Sequence, residues 1–400
     1  MRNTYFNVLP IVVILIFGLM LNACTAKDGE EKKEAEDNAT PVTCIKDIEA
    51  IAVGEAVYRY SGGLWAKDET APEDELPWFA VDFLTADFGW ASGTDKAYLY
   101  ENGEWSEEDP GIMHSGNEIR RIIATPDKGA WAMANVLAES GGVLLRRTPD
   151  GAWDLTDLDD MFNGNIVIKD IMLLADNGVM ALLQESGKRA FLYFIQGGQD
   201  GPVHLYDYDP ANFLDFSSLG LSYSSRIMVG GSKIDGLNRT GFLWYQNEES
   251  AFTPFEFPAS GCPAENIKRT TKIGDRNFVL GDCSYSVMYL YENALWSPVS
   301  LPGEKSADWM IHDFDFIDPN IGWAVGYDGK KEQSTFMLRD TGGWTLNPTC
   351  YDSDFELEDA ALYGVSSWRT GTQFPEGGDD DTADDDTMDD DVDDDTADEV

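Results

Sequence analysis

The sequence predicts an all-β fold, a seven-bladed β-propeller of four-stranded antiparallel blades whose ring is closed by C-terminal strand(s) joining the first blade. Three observations predict it. First, VDFLTADFGWASG (Val81 to Gly93) returns 233 residues later as FDFIDPNIGWAVG (Phe314 to Gly326), with six of thirteen positions shared and no gap. Second, a strand, a two-residue turn and a Trp recur as AVYRYSGGLW, AYLYENGEW, LLRRTPDGAW, MYLYENALW and FMLRDTGGW, ending at Trp65, Trp105, Trp153, Trp296 and Trp344. Third, these tryptophans are 40, 48, 143 and 48 residues apart, and 143 is three periods of about 48. A period of 40–50 residues with four short strands per copy marks a sheet that cannot bury both faces alone and stacks radially with its copies.

The chain begins MRNTYFNVLPIVVILIFGLMLNAC, one positive residue and then an apolar run from Val8 to Leu21. A charged start, a short apolar core and a small residue before the cut are the marks of a secretory signal. The run falls short of the roughly 18–20 residues that span a bilayer as a helix. Residues 1–23 therefore read as a signal peptide. Residues 24–43 are polar and charged, cannot bury enough surface to fold, and read as a disordered acidic tether. The folded body is expected over 44–372. Residues 373–400 read as a disordered tail, with fourteen acids and no base between Asp379 and Val400.

Within the body, Gly-Gly, Asn-Gly and Asp-Gly tolerate positive φ and suit hairpin turns. Two weaker copies are expected between Trp153 and Trp296, at Ile166 to Gln196 and at Leu219 to Phe252. The first strand of each copy, such as FDFID, is expected at the axis, with the GWAVG strand next, carrying Trp90 or Trp323. The Trp-bearing strand is expected further out. The small strand ends AVG, ASG, MVGG, VLG and AVG are expected to let blades crowd near the centre. The N-terminal copy has no room for an inner strand, and Asp354 to Trp368 has no outer part, so the latter is expected to complete the first blade. Six or eight blades, or two sandwiches, are the alternatives; sandwiches do not predict the period.

The formal net charge is −45. Phosphate binding needs clustered Lys and Arg, so a nucleic-acid partner is excluded. Of five cysteines, Cys44, Cys262, Cys283 and Cys350 lie in the body, and four allow three pairings. Cys262–Cys283 (near neighbours) and Cys44–Cys350 (the two ends of the body) are the expected pairs. No CxxC pair is present and the histidines, His114, His204 and His312, are scattered, which argues against zinc. In HDFDFID, simple alternation puts His312, Phe314 and Phe316 on one face and Asp313 and Asp315 on the other. Asp315, with Asp82 at the equivalent position, is expected to bond local backbone rather than a cation. The Asp triplets of the tail lack calcium-loop spacing, so at most weak, diffuse Ca²⁺ binding is expected there, and otherwise no cofactor.

LNAC resembles the lipobox of bacterial lipoproteins, with Asn22 a less usual residue. The resemblance implies that Cys24 becomes an acylated N-terminus, and Thr25 after it resembles outer-membrane sorting. The recurring phrases resemble bacterial propellers of the photosystem II assembly-factor type and their neuraminidase-repeat (Asp-box) relatives. The matching residues are Asp315-Phe316 with Gly322-Trp323-Ala324-Val325-Gly326, and Thr148-Pro149-Asp150-Gly151-Ala152-Trp153. The Thr that precedes Trp in an Asp-box is replaced by Ala152 and Gly343, which argues against a close sialidase. Sialidase-type catalysis needs three converging arginines, and Arg120, Arg121, Arg146, Arg147 and Arg226 read instead as exposed charges. No other catalytic motif stands out. The expectation is a monomeric, non-catalytic, lipid-anchored binding or scaffold module of the bacterial envelope, at the outer membrane or cell surface, with a protein or glycan partner at one mouth of the ring. A sialidase-like glycosidase and an assembly factor for a membrane complex are the alternatives.

Overall fold

A computed structural model of the chain describes residues 44–370, apart from 73–76, 113–116, 137–140, 159–161, 163–165, 186–188, 196–200, 207–212, 223, 237, 249–250, 256–263, 304–305, 347–349, 352–356 and 358. The described residues form seven four-stranded antiparallel sheets arranged as the blades of a propeller. Blade 1 holds β1 (Ile48–Gly54), β2 (Val57–Ser61) and β3 (Leu64–Lys67), and its innermost strand comes from the far end of the chain. Blade 2 holds β4 (Ala80–Thr85), β5 (Phe88–Ser92), β6 (Ala97–Glu101) and β7 (Glu104–Glu108). Blade 3 holds β8 (Glu118–Ala124), β9 (Ala130–Val136), β10 (Gly141–Arg147) and β11 (Trp153–Asp157). Blade 4 holds β12 (Ile166–Leu173), β13 (Val179–Glu185), β14 (Ala190–Ile195) and β15 (Gly201–Tyr206). Blade 5 holds β16 (Phe213–Leu221), β17 (Ile227–Asp235), β18 (Asn238–Gln246) and β19 (Phe252–Phe255). Blade 6 holds β20 (Asn266–Ile273), β21 (Arg276–Asp282), β22 (Ser286–Glu292) and β23 (Leu295–Val299). Blade 7 holds β24 (Trp309–Asp318), β25 (Ile321–Asp328), β26 (Gln333–Asp340) and β27 (Gly343–Leu346). The final strand, β28 (Leu362–Arg369), completes blade 1.

Strand β28 pairs antiparallel with β1 from Ile48↔Arg369 to Gly54↔Leu362, so the two ends of the body share one sheet. This pairing removes the free edge that an open ring would leave. The same seam carries the Cys44–Cys350 disulfide, which spans 306 residues, and a Trp65 N–H that donates to Cys350 O at 2.8 Å. Cys283 is also held in a disulfide, whereas its expected partner Cys262, like Cys24 and the acidic tail, lies outside the described residues.

The repeated tryptophans occupy matching seats. Each sits on the outermost strand opposite the same register position of the strand before it: Tyr60↔Trp65, Tyr100↔Trp105, Arg147↔Trp153, Tyr291↔Trp296 and Arg339↔Trp344. Several reach the preceding blade. Trp65 meets Trp323 and Phe336 of blade 7, Trp153 meets Trp90 of blade 2, and Trp296 meets Phe255 of blade 5. The blades splay outward, and a large ring fills the widening gap while burying more apolar surface than any other side chain. In blade 5 the seat is taken by Phe252, which follows the same five-residue loop closure, Asn247 N–H to Ala251 O, that Thr148 N–H to Ala152 O makes before Trp153. On the second strands, Trp90 and Trp323 face Asp82 and Asp315 and are fully buried; Trp131 holds the same seat in blade 3.

Candidate functional site

The innermost strands run side by side around the axis, and their N-terminal ends open on one mouth. Six of the seven carry a β-bulge at the same place. Register shifts fall between Ile119/Arg121, Ile168/Asp170, Phe216/Ser218, Ile267/Arg269 and Ile311/Asp313, and at the equivalent point of β28. The extra residues are therefore Arg120, Lys169, Ser217, Lys268, His312 and Tyr363. A bulge leaves its extra residue out of the ladder and re-aims the side chain. All six line a single cavity of about 320 Å³, with Phe79 in the seventh place from blade 2.

The bulge overturns the simple alternation of HDFDFID. Ile311, Phe314 and Phe316 share one buried cluster, and His312 is turned out of it into the mouth. It also gives a different reason for the glycines that end the second strands. Gly54, Gly231, Gly281 and Gly326 sit opposite the bulge of their own blade, whereas Gly230 packs on Ile267 of blade 6, at a contact between blades as expected. A methyl group at Gly326 would overlap the Met310 carbonyl oxygen, and one at Gly54 the Ala361 carbonyl oxygen. Blade 2 has no bulge here, and Gly93 has ordinary room.

The mouth has two unlike halves. On blades 7, 1 and 2 it is aromatic: the His312 ring lies 5.2 Å from Tyr363, and Tyr363 lies 6.0 Å from Phe79. Burial, and then the neighbouring Lys268 charge, push His312 down to about 4, so it is neutral at pH 7. On blades 3, 4 and 6 it is cationic, with Arg120, Lys169 and Lys268. Their carboxylate partners stand outside the cavity lining: Glu118 for Arg120, Asp215 for Lys169 at 2.8 Å, and Asp282 for Lys268 at 2.8 Å.

Beneath the mouth, Arg121 of β8 and Arg269 of β20 line both this cavity and a second one of about 280 Å³ on the other side, and so partition the channel. Arg269 pairs with Asp313, and Arg121 lies 3.8 Å from Asp170. Burial, and then the Arg121 charge, hold Arg269 down at about 9. The Nε of each guanidinium is buried with no hydrogen-bond acceptor. Arg121 is thus a channel residue, not the exposed charge expected. Arg269 escaped notice because NIKRTTKI gives no hint that the bulge at Lys268 re-aims its neighbour. The other candidates lie elsewhere: Arg146 stacks on Trp131, Arg147 chelates Glu108 at 2.8 and 3.0 Å, and Arg226 pairs with Glu248.

The acidic residues of the inner strands serve the ring. The Ala124 N–H donates to Asp82 Oδ2 at 2.8 Å, the Leu219 N–H to Asp170 Oδ2 at 2.8 Å and the Val365 N–H to Asp313 Oδ2 at 3.1 Å. Asp315 Oδ2 accepts both the N–H and the hydroxyl of Ser367. Each carboxylate caps an inner-edge N–H of the next blade, which has no strand partner on the channel side. The backbone bonding expected of Asp82 and Asp315 is present, but it reaches across blades, and Ser366 does the same work in blade 1 by accepting from Phe83 N–H at 2.9 Å. Burial pushes Asp82 up to about 6, and raises Asp170 and Asp315. Among the described residues no group of three or more His, Cys, Asp or Glu side chains is placed to hold a metal ion.

No family model and no curated protein matches the chain. Solved structures do. A protein from Lactobacillus plantarum is similar over 81% of this chain and 99% of its own, at 12% identity and a TM-score of 0.54. The periplasmic gluconolactonase of Pseudomonas aeruginosa is similar over 80% and 99%, at 10% identity and a TM-score of 0.51. YCF48, solved bound to a D1 peptide, is similar over 80% and 96%, at 13% identity and a TM-score of 0.48. At these identities the likeness to the first two is one of architecture alone, and it agrees with the seven four-stranded sheets: the chain is a seven-bladed β-propeller.

Proposed function

We propose that the protein is a non-catalytic binding module of the bacterial envelope, exported by its N-terminal signal and anchored by an acylated Cys24, and that it engages a protein or glycan partner at the mouth described above. One observation carries this reading: the same bulge, repeated in six blades, delivers Arg120, Lys169, Ser217, Lys268, His312 and Tyr363 to one cavity. A bulge breaks ladder pairing at a cost in stability, so its repetition at one register points to a built surface. The Cys44–Cys350 disulfide supports an oxidising, extracytoplasmic setting. The test is crosslinking in envelope preparations with a photoreactive residue in place of Ser217 and, as a control, in place of the outer-strand residue Leu295, which is 72% exposed. Adducts at position 217 alone support the reading; equal labelling at 295, or none at 217, overturns it. Metabolic labelling with a fatty-acid analogue that survives in Cys24→Ala removes the anchor from it.

A second reading, a glycosidase, is favoured by the meeting of Arg120, Arg121 and Arg269 in one cavity. Sialidase-type catalysis also uses a Tyr–Glu pair, and among the described residues that lining includes Tyr363 but no glutamate. Turnover of fluorogenic sialosides or other acidic glycosides, lost in Arg121→Gln, selects this reading over the first.

A further inference from the structure

The chemistry of the mouth narrows its ligand. Five cationic side chains line the cavity against two carboxylates, Asp170 and Asp313, in a chain whose net charge is −45. The carboxylates that pair with the rim cations, Glu118, Asp215 and Asp282, stand outside the lining, so at the rim it is the cations that line the cavity. At the floor, Arg121 and Arg269 repel one another, and although Asp313 pairs with Arg269 and Asp170 lies 3.8 Å from Arg121, each keeps a buried Nε–H without an acceptor. Such guanidiniums call for a planar anion that takes parallel N–H bonds. The other wall is a continuous set of rings, Phe79, Tyr363 and neutral His312, that offers an apolar face beside the Arg120 guanidinium, which lies over Phe79. A cavity of about 320 Å³ is at the lower end of small-ligand sites, room for one or two sugar rings and not for a folded surface.

We infer that the mouth takes an acidic monosaccharide unit of the hexuronic-acid class, its carboxylate directed to Arg121 and Arg269 and the C–H face of its ring laid on Tyr363 and Phe79. This rests on the binding-module reading and narrows it from partner to ligand class. The two halves of the mouth match the two halves of such a unit: one edge charged, one face apolar. A simple carboxylate lacks the face, and a neutral hexose lacks the charge.

The test is calorimetric titration of the disulfide-intact protein with D-galacturonate and D-glucuronate, beside acetate, inorganic phosphate and D-galactose. The expected result is that at least one uronate binds, at least tenfold more tightly than acetate, phosphate or galactose, and that binding weakens as salt is raised. Lys169→Ala with Lys268→Ala weakens it about tenfold, and Tyr363→Ala does so without changing the salt dependence. Arg121→Gln abolishes it, with an unchanged circular dichroism spectrum as the control for folding. No binding of either uronate at millimolar concentration overturns the inference, as does galactose or phosphate binding as well as the uronates. Uronate binding that survives both Lys169→Ala/Lys268→Ala and Tyr363→Ala also overturns it, because the ligand then sits elsewhere. Failure here, together with continued crosslinking at position 217, leaves the mouth as the contact surface and removes only the sugar; loss of both removes the binding module itself.

Discussion

Asp315 of blade 7 grips Ser367 of the closing strand twice, through the backbone N–H at 2.7 Å and the side-chain hydroxyl at 2.9 Å. The two residues are 52 apart in sequence, yet they lock the last complete blade to the strand that finishes the first.

Removing that grip leaves two part-buried donors without an acceptor. Asp315→Ala is expected to cost about 2–3 kcal/mol, since hydrogen bonds to a charged group are among the stronger ones and the orphaned donors lose their solvation. Asp315→Asn keeps an acceptor oxygen and recovers most of the loss. Urea unfolding of the two variants against the parent checks this.

The disulfide at the same seam closes a loop of 306 residues. In the chain-entropy description a loop of this length contributes roughly 6 kcal/mol by restricting the unfolded chain. Cys44→Ser with Cys350→Ser is expected to lower the unfolding midpoint substantially and to leave the far-ultraviolet spectrum at 25 °C unchanged, because β28 and β1 remain paired. A midpoint that does not move shows that the ring holds itself.

Asp82 titrates in an unusual direction for a carboxylate. Burial lifts it to about 6 from an ordinary 3.8, with the bond from Ala124 opposing and the Asp315 charge reinforcing. A folded-state value above the unfolded one favours the protonated native form. The associated stability is fully present below pH 3.8 and is lost as pH rises through 6. At about 1.4 kcal/mol per unit, the loss is on the order of 3 kcal/mol. Asp82→Asn keeps an acceptor for Ala124 and never ionises. It is expected to raise the melting temperature at pH 7 while matching the parent near pH 4. Melting curves between those limits decide it; a variant that is less stable at pH 7 shows that the charge itself holds the ring.

Gly326 lies against the Met310 carbonyl where β24 bulges. Gly326→Ala forces the two strands apart or straightens the bulge, and overpacking of this kind costs about 1–3 kcal/mol. Straightening also turns His312 away from Tyr363. The His312 imidazole is then expected to titrate above its native value of about 4, which proton NMR of the ring reads directly. Gly93→Ala, opposite a strand without the bulge, is the control and is expected to change neither quantity.

The blade architecture was legible because five of the seven copies solve one problem, the burial of a widening gap, with a Trp just past a tight turn that carries Gly in four of them and Asn293-Ala294 in the other. Blade 4 and blade 5 were harder to read because their outer strands carry no such Trp, and Phe252 makes do in blade 5. The closing strand was legible from the mismatch between the two ends. The mouth was not. Period-two alternation assigns faces only while the ladder keeps register, and the bulge shifts it by one residue in six blades. Arg121, Arg269 and His312 were each misplaced or overlooked for that one reason. A Gly at the end of the second strand announces the bulge at Gly54, Gly231, Gly281 and Gly326, but Ala134 and Leu183 face the same feature without one.

Tyr363 enters the mouth from β28, the strand nearest the C-terminus among those described. A chain emerging from its N-terminal end lays down Phe79, Arg120, Lys169, Ser217, Lys268 and His312 first and supplies the aromatic cornerstone last. A copy clipped anywhere before Leu362 therefore lacks at once the strand that closes the ring and the Tyr363 ring of the mouth.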